Sequence, residues 1–257
     1  MKPDFKPGMP PLGVGDFAAL DGSLKFDKPA GGPPPDFQVK MADIGWVKRK
    51  YLDLPYDTVS NAQRLDLYLP EEGEGPFPLV VHLHGGGFGM GDKRDDHMDT
   101  YLQGLKYGYA LASVEYRLSG EAIFPAAVLD CRAAFRWLRE HAAEYHLDPN
   151  RFCALGGSAG GNLAALLGMN IPNGQFPGEE NKQFTVSCAV QAAVDQFGPI
   201  DFRHMDEQAH ANGVSFADHD QPFSAESSYM GGPLPELPDE WLAKANPTTY
   251  ILSLIHI

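Results

Sequence analysis

Residues 152–169 restrict the possible folds more than any other part of the sequence. They combine an apolar run at 152–155, the segment Gly156-Gly157-Ser158-Ala159-Gly160, and a run of mostly small residues at 162–169. The first run is typical of a buried strand and the last of a helix, so a strand must turn directly into a helix at the serine. Glycines suit such a corner because side chains there would collide with the neighbouring strand and helix.

Strands and helices alternate along most of the chain. Continuous apolar runs at 79–83, 110–114 and 186–194 are typical of strands buried on both faces, and residues 125–147 carry the apolar stripe of an amphipathic helix. This alternation predicts an α/β fold, a mostly parallel sheet with helices on both faces. Residues 201–245 lose the alternation and favour a small inserted cap.

The N-terminal part of the chain differs from the rest. Residues 1–45 are rich in proline and glycine and show no sustained periodicity. They predict a poorly ordered arm or a strap over the body, with a lid over a site as the alternative. The folded domain is therefore expected at 46–251.

Charge and cysteine content narrow the possible partners. The formal net charge of −14 repels phosphate backbones and anionic lipid head groups, so we expect neither nucleic acid nor a membrane surface as a partner. No apolar run resembles a signal peptide or is long enough to span a bilayer.

Cys131, Cys153 and Cys188 lie in apolar surroundings without zinc-site spacing. We therefore expect reduced thiols, no metal and a cytoplasmic location.

Ser158 is the candidate nucleophile. The strand-to-helix corner would raise its hydroxyl above the carboxyl end of the sheet, where open α/β folds bind ligands. The helix that follows presents its first amides, and the amide of Ala159 could stabilise negative charge on a reacting carbonyl oxygen. Gly156 and Gly160 support the corner. A plain glycine–serine turn is the alternative interpretation.

A second glycine-rich segment, His84-Gly85-Gly86-Gly87-Phe88, directly follows the strand predicted at 79–83. Consecutive glycines weaken a fold unless bare backbone is needed, as it is in an oxyanion hole. The amides of Gly86 and Gly87 would complement that of Ala159. A phosphate-binding loop is the alternative, but no Lys-Ser or Lys-Thr follows. His84 could act as a general base, although its position ahead of the donors favours a structural role, with Gly85 completing the motif.

These segments resemble those of α/β-hydrolases of the hormone-sensitive-lipase-like and bacterial feruloyl/acetylxylan-esterase-like group. The resemblance covers about residues 45–251 and includes the stretches 51–56, 63–70, 114–118, 124–126, 193–202 and 230–233. The hormone-sensitive-lipase branch usually has aspartate before the serine, where this chain has Gly157. That difference favours the feruloyl/acetylxylan-esterase-like branch.

The resemblance implies a serine carboxylic-ester hydrolase that works through an acyl-enzyme and needs no cofactor. Its substrates would be small-molecule esters with short acyl groups, including acetyl or feruloyl esters of plant polysaccharides. An amidase or peptidase on the same scaffold and a non-catalytic ligand-binding relative are the alternatives. The oligomeric state stays open.

The family also implies a catalytic acid and a histidine on loops that follow later strands. Residues 245–251 resemble the segment just before the acid-bearing strand, and residues 252–257 look like a translated library adapter. We therefore expect the last strands, the triad acid and the triad histidine to be absent, and the chain as given to be inactive. The possible substitutes are His204, His210 and His219 with Asp195, Asp201 and Asp206, and we expect the cap histidines to face solvent or line the pocket.

Overall fold

The computed structural model describes residues 39–214 and 217–251. Most of the predicted arm and the predicted adapter tail, 252–257, lie outside the described residues. Six strands are present: β1 Arg49–Pro55, β2 Arg64–Leu69, β3 Phe77–Leu83, β4 Ala110–Val114, β5 Leu147–Gly157 and β6 Ala192–Gln196. The helices are α1 Met98–Leu102, α2 Ala126–Glu140, α3 Ala159–Gly168, α4 Met205–Ala211, α5 Ala225–Met230, α6 Asp239–Ala245 and α7 Thr248–Ile251. Short 3₁₀ turns occupy Gln103–Tyr107, Phe202–His204 and Leu234–Glu236.

The strands form one sheet in the order β1-β2-β4-β3-β5-β6. The pairings β1 with β2 and β2 with β4 are antiparallel, whereas β4 with β3, β3 with β5 and β5 with β6 are parallel. The parallel part places the carboxyl ends of β3, β5 and β6 side by side. The ends of β3 and β5 are where the two glycine-rich segments begin.

Helices cover both faces of the sheet, as the apolar runs predicted. Leu111 in β4 packs in one cluster with Met98 and Leu102 of α1. The next residue, Ala112, belongs to the larger cluster that contains Phe135 of α2. Successive strand residues point to opposite faces, so a run that is apolar at every position must be covered from both sides.

Two predicted boundaries are wrong. Helix α2 ends at Glu140 and not near residue 147, and a series of turns carries the chain into β5. The run at 186–194 becomes a strand only from residue 192 onward. Before that point, side chains satisfy the backbone: Arg139 donates to the carbonyls of Ser187 and Ala189, and the Asn170 side chain accepts from the amide of Val190 at 2.9 Å. Those groups are therefore not available for a β-ladder.

Much of the predicted cap is part of the main core. Phe202, Tyr229 and Trp241 are almost fully buried, and the ring of Tyr229 stacks on that of Phe88 with centroids 3.8 Å apart. Tyr229 lies in α5, so this stack joins α5 to the loop after β3. Helix α5 is therefore held against the carboxyl end of the sheet.

Within the described ranges, none of the helices is long and apolar enough to cross a bilayer. The same residues contain no cluster of three or more His, Cys, Asp or Glu side chains that could hold a metal ion. Cys131, Cys153 and Cys188 carry free thiols, and burial raises the pKa of the Cys131 thiol well above its usual range. A buried thiol of this kind is a poor nucleophile.

Candidate active site

Ser158 occupies a strained corner between β5 and α3. Its backbone is left-handed, with φ 55° and ψ −123°, a conformation that residues other than glycine rarely adopt. The flanking glycines allow the corner to form. A Cβ on Gly156 would overlap the carbonyl of Gly160, and a Cβ on Gly160 would overlap that of Leu83. The close approach of β3, β5 and α3 therefore requires bare backbone at both positions.

Backbone hydrogen bonds hold the corner in place. The amide of Ser158 donates to the carbonyl of Gln196 at the end of β6 (2.9 Å), and its carbonyl accepts from the amide of Asn162 (3.1 Å). The serine side chain is half-buried and lines an open cleft. Ala159 is the first residue of α3, so its amide has no partner in the helical ladder and is directed toward the helix entrance.

The glycine loop after β3 lies directly against this corner. A Cβ on Gly85 would be 3.6 Å from the Cβ of Ser158 and 3.0 Å from the carbonyl oxygen of Gly157. Gly86 and Gly87 are both left-handed, with φ 106° and φ 58°. Residues with a side chain rarely adopt this backbone, so the loop needs bare backbone at both positions. The fold thus brings the two segments singled out in the sequence into contact.

The cleft has a volume of about 430 Å³. Its lining residues come from the glycine loop, the serine corner, the segment after β6, α4 and α5: Gly87, Phe88, Ser158, Ala159, Phe197, Gly198, Pro199, Ile200, Asp201, Met205, Gln208, Ala209, Asn212, His219 and Glu226. One part of this lining is apolar and another carries amides and carboxylates. A ligand with an apolar end and a polar end would match both parts.

His84 is buried behind the glycine loop. Its Nδ1 lies 2.8 Å from the carbonyl oxygen of Gly85 and its Nε2 lies 3.0 Å from Glu115 Oε1, while its ring stacks on Tyr116 with centroids 4.2 Å apart. Both partners are acceptors, so both ring nitrogens donate, as in the imidazolium form. Burial lowers the pKa of His84. The hydrogen bond and the charge of Glu115 together raise that pKa by more than burial lowers it, so the pKa of His84 lies above its ordinary value.

The other histidines predicted as substitutes lie in three different settings. His204 is exposed and its Nδ1 lies 2.9 Å from Asp201 Oδ2, a contact that raises the pKa of the imidazole. His210, on α4, does not line the cleft. His219 does, and its Nδ1 lies 3.3 Å from Glu226 Oε2. No described residue forms a hydrogen bond with the Ser158 hydroxyl.

The acidic residues named in the sequence serve backbone groups. Asp195 accepts from the amide of Gly198 at 2.7 Å, and Asp206 accepts from the amides of His219 and Asp220 at 3.0 and 3.1 Å. Asp201 lines the cleft. The pairing of Glu226 with His219 was not predicted, because no local pattern links the two positions.

Comparison with known proteins gives one consistent result. The BD-FAE family model matches residues 65–254. Over 185 residues the chain is 31% identical to the esterase LipQ of Mycobacterium tuberculosis, a match that covers 70% of this chain and 42% of LipQ. The chain therefore spans less than half the length of that relative.

Two of the solved structures that match this chain illustrate the shared fold. One is a truncated form of a carbohydrate esterase from gut microbiota, with 26% identity and a TM-score of 0.67 over 82% of this chain and 75% of the other. The second is a bifunctional GH43-CE protein of Bacteroides eggerthii, with 32% identity and a TM-score of 0.66 over 78% of this chain and 26% of the other.

Proposed function

The chain belongs to the BD-FAE family of α/β-hydrolases, as its motifs predicted, and on that premise we propose that it acts as a serine carboxylic-ester hydrolase. The observation that carries the proposal is the contact between the two glycine-rich segments: Ser158 at a strained corner, with the Gly85–Gly87 loop packed against it in one cleft. A structural turn has no need for this combination of strain and bare backbone.

In the proposed reaction, Ser158 Oγ attacks the ester carbonyl carbon and gives up its proton to a histidine. The carbonyl oxygen gains negative charge and accepts hydrogen bonds from the amides of Gly86, Gly87 and Ala159. One such donor contributes about 3 kcal/mol of transition-state stabilisation. The alcohol leaves with a proton, and water then hydrolyses the acyl-enzyme in the same manner.

We place the histidine base and its acid outside the described residues. His84 is a poor candidate, because both of its ring nitrogens are engaged with Gly85 and Glu115. Its proposed role is to hold the glycine loop from behind. This support extends to Tyr116, whose hydroxyl donates to the carbonyl of His84 at 2.8 Å.

The proposed substrates are small esters with short acyl groups, including acetyl or feruloyl groups on plant polysaccharides. A carbohydrate esterase among the structural neighbours supports this class. So does a cleft of about 430 Å³ with a mixed lining, which has room for a short acyl group and one polar ring.

Nucleic acid is not proposed as a partner because of the net charge of −14. The three free thiols support a cytoplasmic location.

Hydrolysis of p-nitrophenyl acetate tests the proposal, with the protein expressed from its complete gene. Turnover is expected in the wild type, and Ser158→Ala should reduce it by about 10⁶-fold, the cost of losing a triad serine. Ser60→Ala is the matched control: its hydroxyl accepts from the Ala62 amide in the turn before β2, far from the cleft lining in sequence. Turnover that survives in Ser158→Ala would refute the proposal, and faster cleavage of p-nitroacetanilide would indicate an amidase.

A further inference from the structure

One wall of the Ser158 cleft carries a paired imidazole and carboxylate. His219 Nδ1 lies 3.3 Å from Glu226 Oε2, and both residues line the cleft together with Ser158. Their side chains are 33% and 13% exposed, so both can be reached from the cleft. The proposed reaction assigns neither residue a role.

The backbone of His219 is held on both sides. Its amide donates to Asp206 Oδ1 at 3.0 Å, and its carbonyl accepts from the hydroxyl of the buried Ser227 at 3.5 Å. Asp206 Oδ2 also accepts from the amide of Asp220, so one carboxylate organises the whole turn. His219 is therefore placed by the fold and does not depend on its own side chain for position.

Glu226 lies next to the glycine loop whose amides would stabilise the oxyanion. It follows Ala225 in the first turn of α5, and a Cβ on Gly87 would lie 2.9 Å from the Cβ of Ala225. The stack of Tyr229 on Phe88 fixes the same helix one turn later. The pair thus stands on a rigid element in contact with the loop that would hold the reacting carbonyl.

The charge of this wall is negative. The cleft lining includes the carboxylates of Asp201 and Glu226 and contains no lysine or arginine. The nearby Arg203 is engaged elsewhere: it donates to the carbonyls of Leu234 and Leu237 and contacts Asp239. Asp201 is already paired with the exposed His204, so the carboxylate that an anionic group would meet is that of Glu226. The group would lose hydration there without a lysine or arginine in the lining to offset the cost.

We propose that His219 and Glu226 form a subsite for the alcohol part of the ester, which accepts uncharged groups rich in hydroxyls and rejects anionic ones. The inference rests on the proposed function. Glu226 accepts the Nδ1 proton of His219, so that Nε2 is left as an acceptor for a substrate hydroxyl. The carboxylate oxygens of Glu226 accept a second hydroxyl. The same carboxylate repels the negative charge of a uronate. The pair thus both binds neutral, hydroxyl-rich alcohols and excludes anionic ones.

Ligand binding to the Ser158→Ala protein tests the subsite without requiring turnover. Ligand-observed NMR titrations would compare methyl 2-O-acetyl-β-D-xyloside with methyl 2-O-acetyl-β-D-glucuronoside. The neutral ligand should bind about tenfold tighter, and His219→Ala should weaken its binding about tenfold, which corresponds to one hydrogen bond of roughly 1.4 kcal/mol. Glu226→Gln should bring the two affinities within about threefold of each other. His210→Ala, a histidine of α4 outside the cleft lining, should change neither.

Each outcome bears on the subsite alone. Equal affinities for the two ligands, binding of neither, or variants that leave the preference intact would overturn it. Glu226→Gln is isosteric and keeps an acceptor for His219, so it reports on charge even if His219→Ala loses stability. Hydrolysis by the wild type, measured separately, decides the proposed function. An active enzyme without the preference would leave the function standing and remove the subsite.

Discussion

The backbone amide of Ser158 donates to the carbonyl of Gln196, 2.9 Å away. The side chain of the same glutamine accepts a hydrogen bond from the Tyr101 hydroxyl at 2.5 Å. Tyr101 lies in α1 and Gln196 ends β6, so these two bonds connect a helix on one face of the sheet to the strained serine corner. A left-handed residue of this kind costs about 1–3 kcal/mol and persists only when its surroundings hold it.

Removal of the Tyr101 hydroxyl should therefore loosen the corner without touching the substrate. For Tyr101→Phe we expect kcat for p-nitrophenyl acetate to fall about three- to tenfold with KM unchanged, because the residue is not part of the cleft lining. The lost hydrogen bond should lower the free energy of unfolding by about 1 kcal/mol. Tyr107→Phe, at an 80% exposed tyrosine, is the control. A change in KM alone would argue against a positioning role.

The glycine at position 160 allows a second prediction. A Cβ on Gly160 would overlap the carbonyls of Leu83 and His84, which are backbone atoms and cannot rotate away. We expect Gly160→Ala to lower the free energy of unfolding by about 2–4 kcal/mol in urea titrations. Gly120→Ala, where a Cβ would meet nothing within 4 Å, should be within about 0.5 kcal/mol of the wild type. Similar losses for both variants would contradict the proposed packing.

Phe197 combines an unfavourable backbone with an exposed ring. It has φ 50°, its side chain is 84% exposed, and it lines the cleft beside the serine corner. Phe197→Gly should relieve the left-handed backbone and raise the free energy of unfolding by about 0.5–1 kcal/mol. It should also remove an aromatic contact, so KM for a feruloyl ester should rise about three- to tenfold while acetyl esters change less.

Phe223→Gly is the matched control for that variant. Phe223 is 53% exposed but lies outside the cleft lining and has no left-handed backbone. Phe223→Gly should lower the free energy of unfolding, as a glycine substitution normally does. It should leave KM unchanged for both the feruloyl and the acetyl ester. If Phe197→Gly is less stable than the wild type, then strain at Phe197 is not released by glycine and the prediction fails.

Local patterns explain why some features could be predicted and others could not. The bounds of β4, residues 110–114, follow from its apolar run, and the meeting of Ser158 with the Gly86–Gly87 loop follows from parallel strands whose carboxyl ends share one edge. The start of β6 could not be read, because Asn170 and Arg139 satisfy the preceding backbone from distant positions. Contacts between remote segments leave no local periodicity.

The partners of functional residues could not be predicted for the same reason: they come from remote segments and leave no local pattern in the sequence. His219 was expected to face solvent or line the pocket, and it lines the cleft, but its carboxylate partner comes from a helix seven residues later with an irregular segment between. Gln196 and Tyr101 are 95 residues apart in sequence. The first pair depends on how the segment after β6 folds back, and the second on how α1 packs beside the end of β6. Hydrophobic patterning alone determines neither arrangement.

Two histidines near the glycine loop predict opposite dependences of stability on pH. Burial lowers the pKa of His82 to about 3, whereas the pKa of His84, which burial also lowers, is raised overall by its hydrogen bond with Glu115. His84 thus contributes stability that is fully present below its unfolded pKa of about 6.5 and is lost as pH rises through its folded pKa. His82 destabilises the fold as pH falls from about 6.5 toward 3, because only the unfolded chain then binds the proton.

Glu115→Gln isolates the contribution of His84, since it removes the charge that raises the pKa of the imidazole while keeping a side-chain acceptor. Urea unfolding at pH 6 and pH 9 should show a larger loss of stability for this variant at pH 6 than at pH 9. Glu121→Gln is the control. Glu121 lies in the same segment between β4 and α2 as Glu115, but it makes no contact with His84. A deficit that is the same at both pH values would mean that His84 is neutral in the folded protein, and the imidazolium assigned behind the glycine loop would be wrong.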